Sequence, residues 1–201
     1  MRKLIKRVGF CFLLVVLVWC GALIADRQLL HEQLIRLHVV ANSDSAQDQS
    51  VKLQVRDAVT ESLESAMESV TNIEEARTYL RQNLPKIQAV ANEALSAAGC
   101  DYEAVVTLCE EVFDIRHYDT FSLPAGVYEA LRITLGEGEG KNWWCVVFPT
   151  LCVPAAAEGF EDVAAGAGFP ASLSGALTGE YELRFFLLDA MGNLENIFFP
   201  G

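Results

Sequence analysis

The sequence predicts an α+β fold: two to three amphipathic helices packed on a mainly antiparallel sheet, preceded by an N-terminal membrane segment. Three observations carry that expectation. Apolar residues recur at helical spacing from about residue 45 to residue 98, β-branched and aromatic residues take over from Tyr102 to Phe148, and the first 25 residues hold a long uncharged run behind four cations. The 201 residues suffice for one domain of ordinary size with appendages. At 52% hydrophobic and 21% charged, the chain is too apolar to be disordered throughout and has the material for a real core.

The uncharged run is Val8 to Ala25, VGFCFLLVVLVWCGALIA, flanked by Arg2, Lys3, Lys6 and Arg7 before it and by Asp26 and Arg27 after it. Its 18 residues are the lower limit for crossing a bilayer. The cationic side stays cytoplasmic, which places everything after Asp26 outside. Cleavage after Ala22 would use Cys20 and Ala22 as the small residues, whereas cleavage after Ala25 would put the large Leu23 at the first of those positions, so the reading favours an uncleaved anchor over residues 1–25. Trp19, directly before Cys20, argues against lipid attachment at that thiol. The formal charge is −12; with the four terminal cations set aside, 27 acidic residues face 11 basic ones and the outer part stands at −16. Such a field repels phosphate backbones and anionic headgroups, so nucleic acid is not an expected partner.

Beyond the anchor, LIRLHVVA at 34–41 sets Ile35, Leu37, Val39 and Ala41 against a face bearing Arg36 and His38, the pattern of a half-buried strand. Asn42, Ser43, Asp44 and Ser45 favour a turn and a helix N-cap, and Ser45 with Asp48 approximates a capping box. Val51, Val55, Val59, Leu63 and Met67 then stack on one helix face, with Asp57, Glu61, Glu64 and Glu68 off it. Thr71 with Glu74 reads as a second capping box, opening a helix expected to break or restart at Pro85. Ile87, Val90, Ala91, Ala94, Leu95 and Ala98 continue at 3–4 spacing to Gly99, suited to closing the helix. Strands follow in Tyr102–Tyr118, Val127–Leu135 and Trp143–Phe148, the last two joined by the glycine-rich Gly136–Asn142, which predicts a hairpin. Together these define an α+β domain over about 32–153. Residues 155–179, rich in Ala and Gly, read as a linker or insertion, and 180–201 as a strand-like tail in which YELRFFLL (181–188) returns as an edge strand or interaction segment.

Little in this pattern resembles a catalytic site. Gly140-Lys141 after a strand fails as a phosphate loop, because Leu135 stands where the first glycine is needed and Asn142 where the metal-binding hydroxyl is needed. Cys100, Cys109, Cys145 and Cys152 lack zinc-pair spacing, and no metal or other cofactor is expected. Cys145 and Cys152 enclose Phe148-Pro149, a turn that brings the sulfurs together in an oxidising compartment, so a Cys145–Cys152 disulfide is expected, with two buried thiols as the alternative. A serine or cysteine paired with His38 or His117, oriented by Asp44 or Asp119, would make a hydrolase, but no Gly-x-Ser-x-Gly elbow is present. Asp44 and Asp48 lie near a helix start, where the dipole favours their charged forms and hence capping over acid catalysis. Trp143-Trp144 on a strand points to opposite faces: one indole is free to anchor a partner, or each is covered by its own face of the sheet.

Four segments, LIRLHVVANSDSAQDQ (34–49), KLQVRDAV (52–59), LPAGVYEALRITLGEGEGKNWWCVVFPTLC (123–152) and the anchor, together resemble the stage II sporulation protein R family, over about residues 34–152 with a looser echo in YELRFFLL. The chain departs from the family pattern at Thr150, at Cys100 and Cys109, and in the Ala/Gly-rich tail. The resemblance implies an exported signal of endospore formation rather than an enzyme. Such a protein is made in the forespore, acts in the space between forespore and mother-cell membranes, and is sensed by a membrane-embedded aspartic protease that processes pro-sigma-E. It implies no small-molecule substrate. Of the matching positions, Gly126 and Gly140 are expected to set backbone turns. Partner docking is expected at Asn42, Asp44, Ser45, Asp48, Glu129, Asn142, Trp143 and Trp144. An extracytoplasmic envelope hydrolase is the alternative.

Overall fold

The computed structural model describes residues 2–118, 121–149, 169–179 and 182–198. Helix α1 (Arg2–Gln33) leads directly into β1 (Ile35–Val40), followed by α2 (Ala46–Glu68) and α3 (Ile73–Ala97). Then come β2 (Ala104–Phe113), the short β3 (Arg116–His117) and β4 (Ser122–Leu123), β5 (Gly126–Leu135) and β6 (Asn142–Phe148). Two further helices, α4 (Ala171–Leu177) and α5 (Glu182–Phe198), complete the described chain. The fold is the expected α+β arrangement, with a four-stranded sheet in the order β2-β5-β1-β6 and a separate β3-β4 ribbon. The sheet is mixed but mostly antiparallel: β1 is parallel to β5, while β1 with β6 and β2 with β5 are antiparallel.

Both faces of the sheet are covered. On one, Leu37, Val39, Leu131 and Ile133 meet Val55, Val59 and Leu63 of α2 and Ile87, Ala91 and Leu95 of α3. On the other, Phe113, Tyr128, Ala130 and Val146 meet Leu23 and Leu30 of α1, Leu173 and Leu177 of α4, and Leu188 of α5. Each such aliphatic side chain contributes about 1.5–3 kcal/mol when fully buried.

Strand β1, expected to be half-buried, is buried at all six positions. Arg36 and His38 therefore lie under a second layer that local alternation does not reveal. The predicted hairpin between β5 and β6 is also corrected. Those strands are not neighbours, because β1 lies between them, and Gly136–Asn142 instead wraps around the end of β1. In that wrap the Gly140 N–H donates to the Ala41 carbonyl at 2.9 Å and the Glu139 N–H to the Asn42 carbonyl at 3.1 Å.

Helix α2 starts as expected, with the Ser45 hydroxyl accepting from the Asp48 N–H at 3.0 Å. The second cap is displaced by one residue: Asn72 accepts from the Glu75 N–H, and the Glu75 carboxylate accepts from the N–H and hydroxyl of Thr71, each at 3.0 Å. Helix α3 runs unbroken through Pro85. Leu80 and Ile87 are seven residues apart, so one buried stripe continues past the proline, which itself sits exposed on the opposite side of the helix. The strand expected in YELRFFLL is helix over Glu182–Phe198, because Phe185, Leu188, Met191 and Gly192 continue a 3–4 spacing that a window ending at 188 truncates. Within the segment read as linker, Ala171–Leu177 is a helix buried along most of its length; residues 155–168 lie outside the described residues.

Candidate functional site

At the end of β1 farthest from α1, the polar residues 42–49 clasp the 136–141 loop. Asp48 is the hub: Oδ1 accepts from the Tyr102 hydroxyl at 2.6 Å, while Oδ2 accepts from Asn42 Nδ2 at 3.0 Å and Ser43 Oγ at 2.5 Å. These donors, Ser43 first and then Tyr102, with Asn42 and Ser45 adding, outweigh desolvation and pull the Asp48 carboxyl down to about 2. Burial and the bond to Asp48 push the Tyr102 phenol well above its ordinary value. Asn42 Oδ1 accepts from the Glu137 N–H at 3.0 Å, and Asp44 Oδ1 from the Lys141 N–H at 2.7 Å. Lys52, almost fully buried, donates to Gln49 and to the Lys141 carbonyl. Its ammonium is pulled down chiefly by burial, against the opposing charge of Asp44. A Cβ at Gly140 would collide with the Ser43 carbonyl, so glycine serves close backbone approach there.

The eight residues expected at the docking site do not form one patch. Asp44, Ser45 and Asn142 are exposed and sit together at this end, with Asn42 and Asp48 half-buried beneath them. Glu129 lies on the helix side of β5, bonded to Arg77 at 2.6 Å and Arg81 at 3.3 Å. The tryptophans do point to opposite faces, and each is half-buried against its own face. Arg56 lies 4.3 Å over the Trp143 ring on the α2 side. Trp144 stacks on His38 with centroids 3.7 Å apart, and Phe113 meets it edge-on. Cys145 is buried; Cys152 lies outside the described residues, and so does the pairing expected between them.

Sequence reading missed a polar cluster beneath the second face. Arg36 is wholly buried, its guanidinium 3.9 Å from the Phe113 centroid and 5.1 Å from that of Tyr128, and it donates to the Tyr118 hydroxyl at 3.1 Å. His38 Nδ1 is 2.8 Å from Glu111, which also accepts from Arg132 at 2.9 Å. The available signal was Arg36 and His38 alternating in an otherwise apolar strand, a pattern that also fits a solvated face. Of the residues considered for catalysis, His117 lies 2.8 Å from Ser122, but the two are register partners in the β3-β4 ribbon, which accounts for the contact. Asp119 lies outside the described residues. Among the described residues no His, Cys, Asp and Glu cluster is placed to hold a metal ion.

The architecture defines a class: an α+β domain whose mixed sheet is covered by helices on both faces, led by a long N-terminal apolar helix that is a candidate membrane segment. The chain belongs to the stage II sporulation protein R family, whose match covers residues 31–158. It is 46% identical to Stage II sporulation protein R of Bacillus subtilis (strain 168) over 121 residues, 60% of this chain and 54% of that relative. The alignment thus spans about half the length of that curated relative. No solved structure matches the chain.

Proposed function

We propose that the chain is an exported signal of endospore formation, held by α1 in the forespore membrane, that activates a membrane-embedded aspartic protease to process pro-sigma-E. Family membership carries this reading, and the direction of β1 supports it. The strand leaves α1 at Ile35 and ends at Val40 beside the 42–48 loop, six residues or about 20 Å farther on. On this reading the exposed Asp44, Ser45 and Asn142, at the end of β1 remote from α1, are the residues presented to the opposing membrane and its protease. We assign docking to this end.

The test is reconstitution of chain, protease and pro-sigma-E in a non-sporulating host. Cleavage only when all three are present is the expected result; cleavage without this chain, or none with all three, overturns the reading. Ser122→Ala separates the signal from a hydrolase, since a signal keeps full cleavage while a nucleophile at Ser122 loses it. For the docking end, Asp44→Ala and Asn142→Ala should reduce cleavage more than a core substitution of matched destabilisation. Cleavage that merely tracks stability would move docking away from this end.

A further inference from the structure

Helix α5 has two contrasting faces. Leu188 and Gly192 are buried against the sheet, and a Cβ at Gly192 would collide with the Ala125 carbonyl oxygen. Around the other side Leu183, Phe186, Leu194 and Ile197 are 59–69% exposed, at helical spacings that align them in one stripe. Apart from Leu53 and Val105, every large apolar side chain left exposed among the described residues lies on α1 or α5.

The two helices are fastened at a defined level. Arg184 donates to Asp26 at 2.7 Å, Arg27 pairs with Glu195, and Arg27 also donates to the Leu188 carbonyl. Asp26 and Arg27 are the first charges after the apolar run of residues 8–25. Arg184 and Glu195 are separated by about 16 Å of helix yet meet adjacent residues of α1, so α5 crosses α1 rather than running beside it. Where residues 8–25 span a bilayer, a helix that crosses α1 at its first outer charges is at the level of the bilayer surface.

We propose that α5 is a second membrane contact, its Leu183, Phe186, Leu194 and Ile197 stripe seated at the headgroup–acyl boundary of the bilayer that α1 crosses. The inference rests on the reading of residues 8–25 as a span. Helix α5 carries Glu182, Asp189 and Glu195 against Arg184, so the contact is apolar and not electrostatic, in keeping with the acidic outer part. Attachment of α1 supplies the high local concentration that so acidic a helix needs. Two-point attachment fixes the orientation of the sheet and holds the 42–48 end outward.

The full chain is reconstituted in phosphatidylcholine vesicles with acyl chains brominated near the headgroup. Phe186→Trp, in a Trp19→Phe background, is compared with Gln54→Trp on the exposed side of α2; Trp143 and Trp144 are common to both. We expect roughly twofold quenching of the indole introduced at 186, unchanged in about 0.5 M salt, and none at 54. Equal emission losses at 186 and 54, with Trp19 of the unaltered chain quenched, overturn the α5 contact and leave the span standing. Trp19 unquenched overturns the span and the contact with it. An indole at 186 shielded from aqueous acrylamide but not quenched by brominated lipid overturns the proposal in favour of a second copy of the chain.

Discussion

Asp48 shows how one side chain converts a polar loop into a fixed joint. Its carboxylate takes hydrogen bonds from Asn42, Ser43 and Tyr102, and these hold its pKa at about 2, below the 3.8 of a free aspartate. Because the folded value is depressed, the stabilisation is complete above the unfolded pKa and is lost as pH falls from about 4 toward about 2. Asp48→Asn should cost about 1–2 kcal/mol at neutral pH, a charged hydrogen-bond hub discounted for partial exposure. Urea unfolding of both proteins across that range checks the sign: the difference should shrink in acid, and a constant difference would falsify the charge argument. Ser45 and Asp48 are legible as a cap from sequence. Tyr102 is not, because it arrives from 54 residues away through the α2–α3 pair.

At the scale of the element, apolar phase outranks local breakers. Helix α3 ignores Pro85 because Leu80, Ile87, Ala91 and Leu95 keep one buried stripe, and packing compensates for the lost backbone bond. Helix α5 forms where β-propensity in RFFLL favours a strand, because its 3–4 spacing places Leu188 and Gly192 against the sheet. Gly192→Ala should then lower stability by about 1–3 kcal/mol, although alanine is the better helix former, since the new methyl meets the Ala125 carbonyl of a fixed backbone. Asn193→Ala, on the exposed side of the same helix, should be near neutral. Thermal unfolding of the two variants checks the contrast; equal midpoints would show that α5 is free to move off the sheet.

Across the whole molecule, β1 is the organising element, hydrogen-bonded to β5 on one side and β6 on the other and buried on both faces. Its amides should exchange only on global unfolding, so hydrogen exchange should rank Leu37 and Val39 among the slowest positions and the ends of α5 well below them. Exchange of β1 at the rate of the helix ends would mean that the second layer opens independently. Arg36 and His38 belong to this scale too. Their place beneath Phe113, Trp144 and Tyr128 exists only because α1, α4 and α5 cover that face.

By itself the sequence determined most of the elements: the apolar run of residues 8–25, the Val51 to Leu63 stripe of α2, the strands over 34–41, 127–135 and 143–148, and the Ser45 cap all follow from local period and side-chain chemistry. Tertiary structure decided what lies next to what. That β1 separates β5 from β6, that the glycines of 136–140 wrap Asn42 instead of making a hairpin, and that Arg36 is buried are consequences of pairings between residues about 100 positions apart. Local periodicity records which residues avoid water, but a strand with alternating polar and apolar positions reads the same whether its second face meets solvent or another layer. Only the assembled fold distinguishes the two.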